Sequence, residues 1–148
     1  MGITVSRVDR TKFFGIVDNM AFNVLDEREA FELGYKNVRD CLRRRKGWEA
    51  RYFILRYNRE PMAVVMLERD GHFSYFVSKR LGSEHMISLI RALRKLTDTT
   101  VRKAGGIMVD VAPWRKDAIR VLKLVGFRID YRSDSFDTYV KESNGLKD

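Results

Sequence analysis

The most informative stretch of this 148-residue chain reads Ala118-Ile119-Arg120-Val121-Leu122-Lys123-Leu124-Val125-Gly126-Phe127. Its apolar residues recur every three or four positions, which predicts an amphipathic helix from Arg115 to Val125. Gly126 ends that helix, because glycine adopts the left-handed conformation that many helix ends use. Phe127 then opens the first strand of a hairpin. The stretch therefore predicts a helix that leads directly into paired strands.

Strands and helices precede this stretch in a regular order. Three runs rich in aromatic and β-branched residues predict an antiparallel meander: Arg51 to Tyr57, Met62 to Leu67 and His72 to Val77. The other predicted elements are a strand from Ile3 to Val8, a helix from Lys12 to Val24, a helical segment from Asp26 to Arg45 that Gly34 divides, a long helix from Met86 to Lys103, a strand from Ile107 to Val111 and a hairpin from Phe127 to Val140. This order predicts a single α/β domain over residues 1–148, a mixed and mostly antiparallel sheet with helices on both faces. We expect residues 142–148 to form a mobile polar tail.

The charge balance of the chain points to an acidic partner. There are 29 Lys and Arg against 20 Asp and Glu, which gives a net charge of +9. This charge suits nucleic acid, an anionic cofactor or an acidic protein, and does not choose among them. One cysteine and two histidines predict no internal disulfide and no metal site. No apolar run approaches the ~20 residues that cross a bilayer.

Residues 107–127 resemble the late motif of the GNAT superfamily, the acetyl-coenzyme-A-dependent N-acetyltransferases. In that motif a helix carrying Ala-Ile runs into Gly-Phe at the final hairpin, as Ala118-Ile119 and Gly126-Phe127 do here. The order of elements resembles the family over nearly the whole chain. The resemblance implies the GNAT fold, in which the strand at Ile107 to Val111 splays from its neighbour. It also implies acetyl-CoA as acyl donor.

The resemblance also implies a cofactor site. Backbone groups of the fourth strand would bond the pantetheine arm, and the following loop would hold the pyrophosphate at a helix N-terminus. Arg115 takes the position of a family asparagine that serves the chemistry. The predicted cofactor-binding residues are Phe76, Val77, Ser78, Lys79, Arg80, Leu81, Gly82, Ser83 and Arg115.

The chain departs from the family pattern at two functional positions. In one register of the phosphate loop Gly82 stands where the family has Arg or Gln, and Glu84 and Met86 replace small residues. In the other register Arg80 matches, but Ser83 replaces the first glycine. The tyrosine that protonates the leaving thiolate in many members falls on Leu122, which has no proton to give. The predicted phosphate-binding loop is therefore degenerate, and the sequence indicates no catalytic residue.

Several ionisable residues have two interpretations. Glu68, His72 and Asp110 lie on strands near the expected cleft, where one could act as a general base, directly or through water. The alternative is that each is a strand-edge or turn residue. We expect His85 and Arg115 to face solvent from first helical turns. We expect Cys41 to be a half-buried structural cysteine rather than a nucleophile.

Basic residues cluster in three places. The first is the run Arg43 to Lys46 with Trp48 beside it, which could grip nucleic-acid phosphates or simply be a solvated helix end. The other two are the helix faces at Arg91 to Lys103 and at Arg115 to Lys123. Together they leave two interpretations open: ordinary solvated helix faces, or a distributed phosphate-binding surface.

The pattern also resembles phage-encoded GNAT-like proteins, including the small internal virion protein of short-tailed podoviruses. The shared features are a Phe76-Val77-Ser78 strand end, an Arg80-Leu81 loop, a basic long helix and the segment Ile119 to Lys123. This implies a protein of the host cytoplasm, or one packaged in a virion. Two functions follow as hypotheses. One is an N-acetyltransferase-like enzyme. The other is a non-catalytic virion, ejection or host-inhibiting protein that contacts nucleic acid or an acidic partner through its basic surface.

Overall fold

The computed structural model describes residues 2–45 and 49–143. The strands are β1 (Thr4–Val8), β2 (Arg51–Tyr57), β3 (Glu60–Leu67), β4 (Phe73–Val77), β5 (Gly106–Val111), β6 (Arg128–Arg132) and β7 (Asp137–Glu142). The helices are α1 (Arg10–Val17), α2 (Val24–Glu32), α3 (Val38–Arg45), α4 (Met86–Ala104) and α5 (Lys116–Val125), with a 3-10 turn at Ser83–His85 before α4. The predicted order of elements is confirmed.

The sheet is divided at its middle. One part has the antiparallel order β1-β2-β3-β4, and the other has the antiparallel order β5-β7-β6. The two parts meet at a parallel bridge between His72 and Met108, where the Met108 amide donates to the Gly71 carbonyl at 2.9 Å. Beyond that bridge β4 and β5 diverge and leave a wedge. The predicted mixed, mostly antiparallel sheet is confirmed, and it is open where the resemblance implied.

Helices cover both faces of the sheet. Helices α1 to α3 pack on one face, and their core residues include Phe13, Val38 and Leu42. Helices α4 and α5 pack on the other face through residues that include Leu93 and Leu122. Strand β3 is buried on both faces, which explains why its sequence is a continuous apolar run and not an alternating one.

Two predicted helix boundaries in the N-terminal part of the chain are different in the structure. The helix predicted from Lys12 to Val24 ends at Val17, and a separate helix begins at Val24. This second start is set by Asn23, whose side chain accepts from the Leu25 amide at 2.8 Å. Gly34, with a φ of +97°, separates α2 from α3 as predicted.

The turn predicted over residues 58–61 is shorter than expected. Asn58 and Arg59 have φ values of 48° and 70°, so they form a two-residue hairpin loop of the kind that matches strand twist. Pro61 lies in β3, opposite a register shift between Leu55 and Arg56. Proline has no backbone N–H to donate, and it is tolerated there because the bulge removes one hydrogen bond from the strand pairing.

Parts of two sequence predictions lie outside the described residues. These are Lys46, Gly47 and Trp48 of the first basic cluster, and residues 144–148 of the predicted tail. Glu142, the first residue of that tail, is instead the last residue of β7, where it pairs with Gly106. Among the residues that the structure does describe, no helix is long and apolar enough to cross a membrane.

A buried lysine joins the two helices of the second face. The Lys141 ammonium lies 2.9 Å from the carbonyl of Val125, which ends α5, and 2.8 Å from the Thr97 hydroxyl of α4. It also lies 2.6 Å from a carboxylate oxygen of Asp98. Burial lowers its pKa, against the raising effect of Asp98. This one side chain therefore fixes the end of α5 against the middle of α4.

We expect Gly126→Ala to destabilise the protein by about 1–2 kcal/mol, because an L-residue is strained in the left-handed region. Gly126 has a φ of +115°, and an added Cβ would lie 3.2 Å from Cε of Lys141. Gly15→Ala is the matched control, since nothing lies within 4 Å of its added Cβ and alanine favours a helix by up to ~1 kcal/mol. Urea unfolding of both variants checks this. Equal midpoints would contradict the expected strain.

Candidate functional site

The wedge between β4 and β5 exposes one backbone edge of β4. The Ser78 amide donates to the Met62 carbonyl, and the Glu68 amide donates to the His72 carbonyl, each at 2.8 Å. Residues 72 and 78 therefore bond β3, and the alternation of an antiparallel ladder turns the backbone groups of residues 73, 75 and 77 toward β5. This is the edge to which the sequence resemblance assigns the pantetheine arm.

Helix α2 occupies the end of that edge. The Val77 amide donates to Oδ2 of Asp26 at 2.9 Å, and the Val77 carbonyl accepts from the Asn23 amide at 2.8 Å. Asn23 caps α2 and Asp26 lies in its first turn. Both backbone groups of Val77 are thus bonded within the chain.

The same helix also bonds the far side of the wedge. Glu29 lies one turn after Asp26, and its Oε2 accepts from the Ala112 amide at 2.6 Å. Ala112 directly follows β5. A residue spacing of three places the two carboxylates on one face of α2. The helix therefore spans the wedge, with one carboxylate on each diverging strand.

Arg115 joins these carboxylates. Its Nη1 lies 2.9 Å from Asp26 and 2.7 Å from Glu29, and its Nη2 lies 3.0 Å from Asp117. We call Asp26, Glu29, Asp117 and Arg115 the carboxylate clamp. Arg115 is only 4% exposed, so the prediction that it faces solvent is wrong. Three nearby carboxylates compensate the cost of burying its charge.

Burial and pairing act against each other on the charges of the clamp. Burial raises the pKa of Asp26 and of Glu29, and the charge of Arg115 opposes that rise only in part. Burial alone would lower the pKa of Arg115, but Asp117, Asp26 and Glu29 raise it above its ordinary value. The guanidinium therefore stays charged while the two buried carboxyls have a reduced tendency to ionise.

Little room is left inside the wedge. The cavity there measures about 60 Å³, and its lining includes Cys41, Tyr75, Val109, Arg115 and Leu122. A single water needs roughly 10–15 Å³ on this measure, so the cavity holds only a few. A long ligand does not fit inside a cavity of this size.

The loop from β4 to α4 directs its amides inward. The Lys79 amide donates to the Ala21 carbonyl at 2.9 Å and the Leu81 amide to the Ser78 carbonyl at 3.1 Å. The Arg80 amide donates to the Ser78 hydroxyl at 3.1 Å. Four successive amides have acceptors within the chain once Gly82 is included.

Gly82 and His85 close the loop at the helix start. The Gly82 amide donates to Nδ1 of His85 at 3.0 Å, and His85 is buried, so the prediction of a surface histidine is wrong. The Glu84 carboxylate lies over Gly82, where an added Cβ would meet it. A carboxylate at this place repels anions from the helix N-terminus.

The predicted cofactor-binding residues thus divide into two groups. Phe76, Val77, Ser78, Leu81, Gly82 and Arg115 are engaged within the fold: Phe76 packs on Phe22 at 6.4 Å between ring centroids, and Ser78 is buried. Lys79, Arg80 and Ser83 are exposed, and Arg80 forms an ion pair with Glu60. The structure brings Arg115 to the wedge but not to the loop.

A second polar cluster lies where the wedge narrows. Nδ1 of His72 lies 2.9 Å from Asp70, and its Nε2 lies 3.7 Å from Asp110. Asp110 also accepts from the Thr138 hydroxyl at 2.7 Å. The structure therefore brings two of the predicted base candidates, His72 and Asp110, together. The third, Glu68, lies 3.5 Å from Arg45, and burial raises its pKa.

The sequence did not reveal three residues of the wedge. Asp26 and Glu29 look like ordinary acidic residues near a helix start, where such charges are common. Tyr75 looks like one aromatic residue of a strand, yet it lines the cavity, and burial raises the pKa of its phenol. Only the three-dimensional crossing of α2 over the wedge gives these residues a shared place.

The overall geometry is that of known acetyltransferases. A spermidine N-acetyltransferase chimera from Vibrio cholerae and hSSAT superposes with a TM-score of 0.65 over 97% of each chain, at 10% identity. The chain has the GNAT fold. Aminoglycoside acetyltransferase AAC(6')-Ib, in complex with coenzyme A, matches with a TM-score of 0.64 over 97% of this chain and 96% of its own, at 15% identity.

A third GNAT structure agrees with these two. The ribosomal-protein-S18-alanine N-acetyltransferase from Escherichia coli matches with a TM-score of 0.58 over 93% of this chain and 90% of its own, at 14% identity. No family model matches the sequence, and no curated protein matches it. At such identities the GNAT likeness is one of fold, and the chemistry must be argued from the wedge.

We expect Arg115→Met to cost about 3–5 kcal/mol at pH 7, because it leaves two buried carboxylates unpaired. Without the guanidinium, the pKa values of Asp26 and Glu29 rise further in the folded state, while in the unfolded chain they stay near ~4. A carboxyl whose pKa is higher in the folded state than in the unfolded state makes the protein less stable as the pH rises above the unfolded-state pKa. The loss should therefore be smaller at pH 5 than at pH 7.

Urea unfolding at both pH values measures this difference. Arg28→Met is the matched control, since Arg28 pairs with Glu32 on the exposed surface and should cost ~0.5 kcal/mol or less. A loss for Arg115→Met that equals the control, or that grows toward pH 5, would show that the clamp does not hold the wedge.

We expect the thiol of Cys41 to be inert in the folded protein. Cys41 is buried, and burial raises its pKa to about 11, so little reactive thiolate forms at pH 8. A colourimetric disulfide reagent should label it slowly in buffer and quickly in urea, with glutathione as the reference thiol. Labelling at equal rates in both conditions would contradict the structural interpretation of this cysteine.

Proposed function

We propose that this protein is N-acetyltransferase-like in architecture but does not turn over acetyl-CoA, and that it works by binding an acidic macromolecule. The observation that supports the lack of acetyl-CoA turnover is the carboxylate clamp. It bonds the ends of β4 and β5 to α2 and leaves a cavity of about 60 Å³. The second half rests on the net charge of +9, which attracts polyanions.

The residues present do not fit coenzyme A in this arrangement. The Val77 amide already donates to Asp26, so the strand end offers the pantetheine arm no free group there. The Gly82 amide donates to His85, and Glu84 lies beside it where a pyrophosphate would need positive potential. Leu122, at the position of the family tyrosine, has no proton to give. No acyl-transfer step is therefore derived for this chain.

The biological setting that we propose is a phage one. It is supported by the resemblance of the strand end, the loop and the segment Ile119 to Lys123 to phage-encoded GNAT-like proteins. A protein of that type would act in the infected cell or within the virion, as an ejection component or as an inhibitor of a host protein. Binding to nucleic acid or to an acidic partner serves each of these roles.

A second candidate is a functional acetyl-CoA-dependent N-acyltransferase. Two observations favour it: the open backbone edge of β4 at residues 73 and 75, and the phenol of Tyr75 at the wall of the cavity. The phenol carries a proton at neutral pH, although burial raises its pKa and so makes it a weaker acid than an ordinary tyrosine. His72, held by Asp70, would be the candidate base at the narrow end of the wedge.

Calorimetric titration with coenzyme A tests the choice between these candidates. We expect no saturable binding at micromolar concentrations, because entry requires breaking the clamp. Aminoglycoside acetyltransferase AAC(6')-Ib, solved in complex with coenzyme A, is the positive control in the same buffer. Micromolar binding that Gly82→Glu abolishes, together with release of free thiol from acetyl-CoA in the presence of an amine, would overturn the proposal in favour of the second candidate.

A further inference from the structure

We propose that α4 and α5 together form a docking surface for the phosphate backbone of double-stranded nucleic acid. This inference rests on the proposed function, the binding of an acidic macromolecule, and specifies which macromolecule is bound and which protein surface binds it. We call the surface the basic face. It consists of Arg91, Arg94, Lys95 and Arg102 of α4 and Lys116, Arg120 and Lys123 of α5, all of which are exposed.

The cations of α4 form one row. Arg94 and Lys95 lie three and four residues after Arg91, and Arg102 lies seven residues after Lys95. Steps of three, four and seven residues return to the same side of an α-helix. The row is roughly 17 Å long at about 1.5 Å per residue. Its opposite side carries Leu89, Leu93 and other core residues.

The cations of α5 form a second row beside the first. Lys116, Arg120 and Lys123 follow one another at steps of four and three residues, so they also share one side of their helix. Both helices pack on the same core, and Lys141 joins them through Thr97 and Val125. The two rows therefore face solvent from the same layer, at a separation that the fold keeps constant.

The acidic residues of this layer are already paired. Asp98 lies between Lys95 and Arg102 in sequence, but the buried Lys141 ammonium lies 2.6 Å from it. Asp117, next to Lys116, is bonded to Arg115. Within residues 2–45 and 49–143, no carboxylate forms an ion pair with a cation of the basic face. The rows thus present nearly their full positive charge.

The opposite layer provides an internal comparison. On α2 and α3 the exposed arginines have acidic partners: Arg28 with Glu32, Arg43 with Asp18 and Arg44 with Asp40. Arg28 and Arg43 also lie over aromatic rings, at 4.4 Å from Trp114 and 4.7 Å from Phe14. Among the described residues, the exposed arginines of α2 and α3 are therefore neutralised by carboxylates, whereas the seven cations of the basic face are not.

The composition of the basic face favours a duplex. Neither α4 nor α5 contains an aromatic residue, whereas single-stranded nucleic acid is held by stacking of bases on aromatic side chains. Protein interfaces likewise depend on aromatic anchors in pockets, and the exposed apolar residues of these helices are the two aliphatic side chains Ile87 and Leu124. Two rigid rows of cations fit a duplex, whose charge is regular and dense at about one per 1.7 Å of axis.

Fluorescence anisotropy with a labelled 20-base-pair DNA duplex tests this inference. If all seven cations contact phosphates, the logarithm of the binding constant should fall with the logarithm of salt at a slope near about −6. A variant with Arg94→Gln, Lys95→Gln and Arg120→Gln should flatten the slope by about 3, roughly one for each lost contact. The matched control carries Arg28→Gln, Arg43→Gln and Arg44→Gln and has the same net charge, and its slope should equal that of the wild-type protein.

Several outcomes would overturn the inference. They are no duplex binding at low salt, equal loss in both triple variants, tighter binding of single-stranded DNA, or equal competition by poly-glutamate, which would indicate an acidic protein. A duplex RNA of the same length identifies the source of the backbone, and tighter binding of either duplex supports the proposal. Coenzyme A binding together with normal duplex binding would defeat only the proposed lack of turnover. A protein that binds neither coenzyme A nor the duplex would contradict only the proposed docking surface.

Discussion

The guanidinium of Arg115 is the interaction on which the middle of this protein depends. It lies between Asp26 and Glu29, which in turn bond the amides of Val77 and Ala112 at the two sides of the wedge. Two diverging strands leave backbone groups without a ladder partner, and such groups are costly when buried. The clamp supplies those partners from a helix. An arginine suits this place because it stays charged and its fork of donors reaches several carboxylates at once.

The clamp also fills the open end of the gap between β4 and β5 with side chains of this chain. In a GNAT architecture the divergence of β4 and β5 creates a site, and here a side-chain network occupies the open end of it. The loop before α4 is also bonded within the chain, since its amides donate to Ser78, Ala21 and His85. On the outer side of α4 and α5, the seven cations of the basic face have no carboxylate partner among the described residues.

Much of the fold could be predicted from local patterns, but the site could not. The spacing of apolar residues, the aromatic and β-branched runs and the helix end at Gly126 predict nearly every strand and helix, because each signal acts over a few residues. The sequence predictions were wrong where a contact with a residue distant along the chain determines the structure. The first helix stops at Val17 although its apolar spacing continues, and Arg115 and His85 are buried although each sits in a first helical turn beside polar residues.

Residue order was sufficient for the sequence of elements and the excess of positive charge, since these follow from periodicity, turn geometry and composition. The tertiary arrangement was needed for everything in the wedge. Asp26, Tyr75 and Arg115 are separated by dozens of residues, and no periodic pattern links them. Whether a buried charge is satisfied depends on what the fold brings within about 3 Å of it, and that distance is a property of packed layers and not of any segment alone.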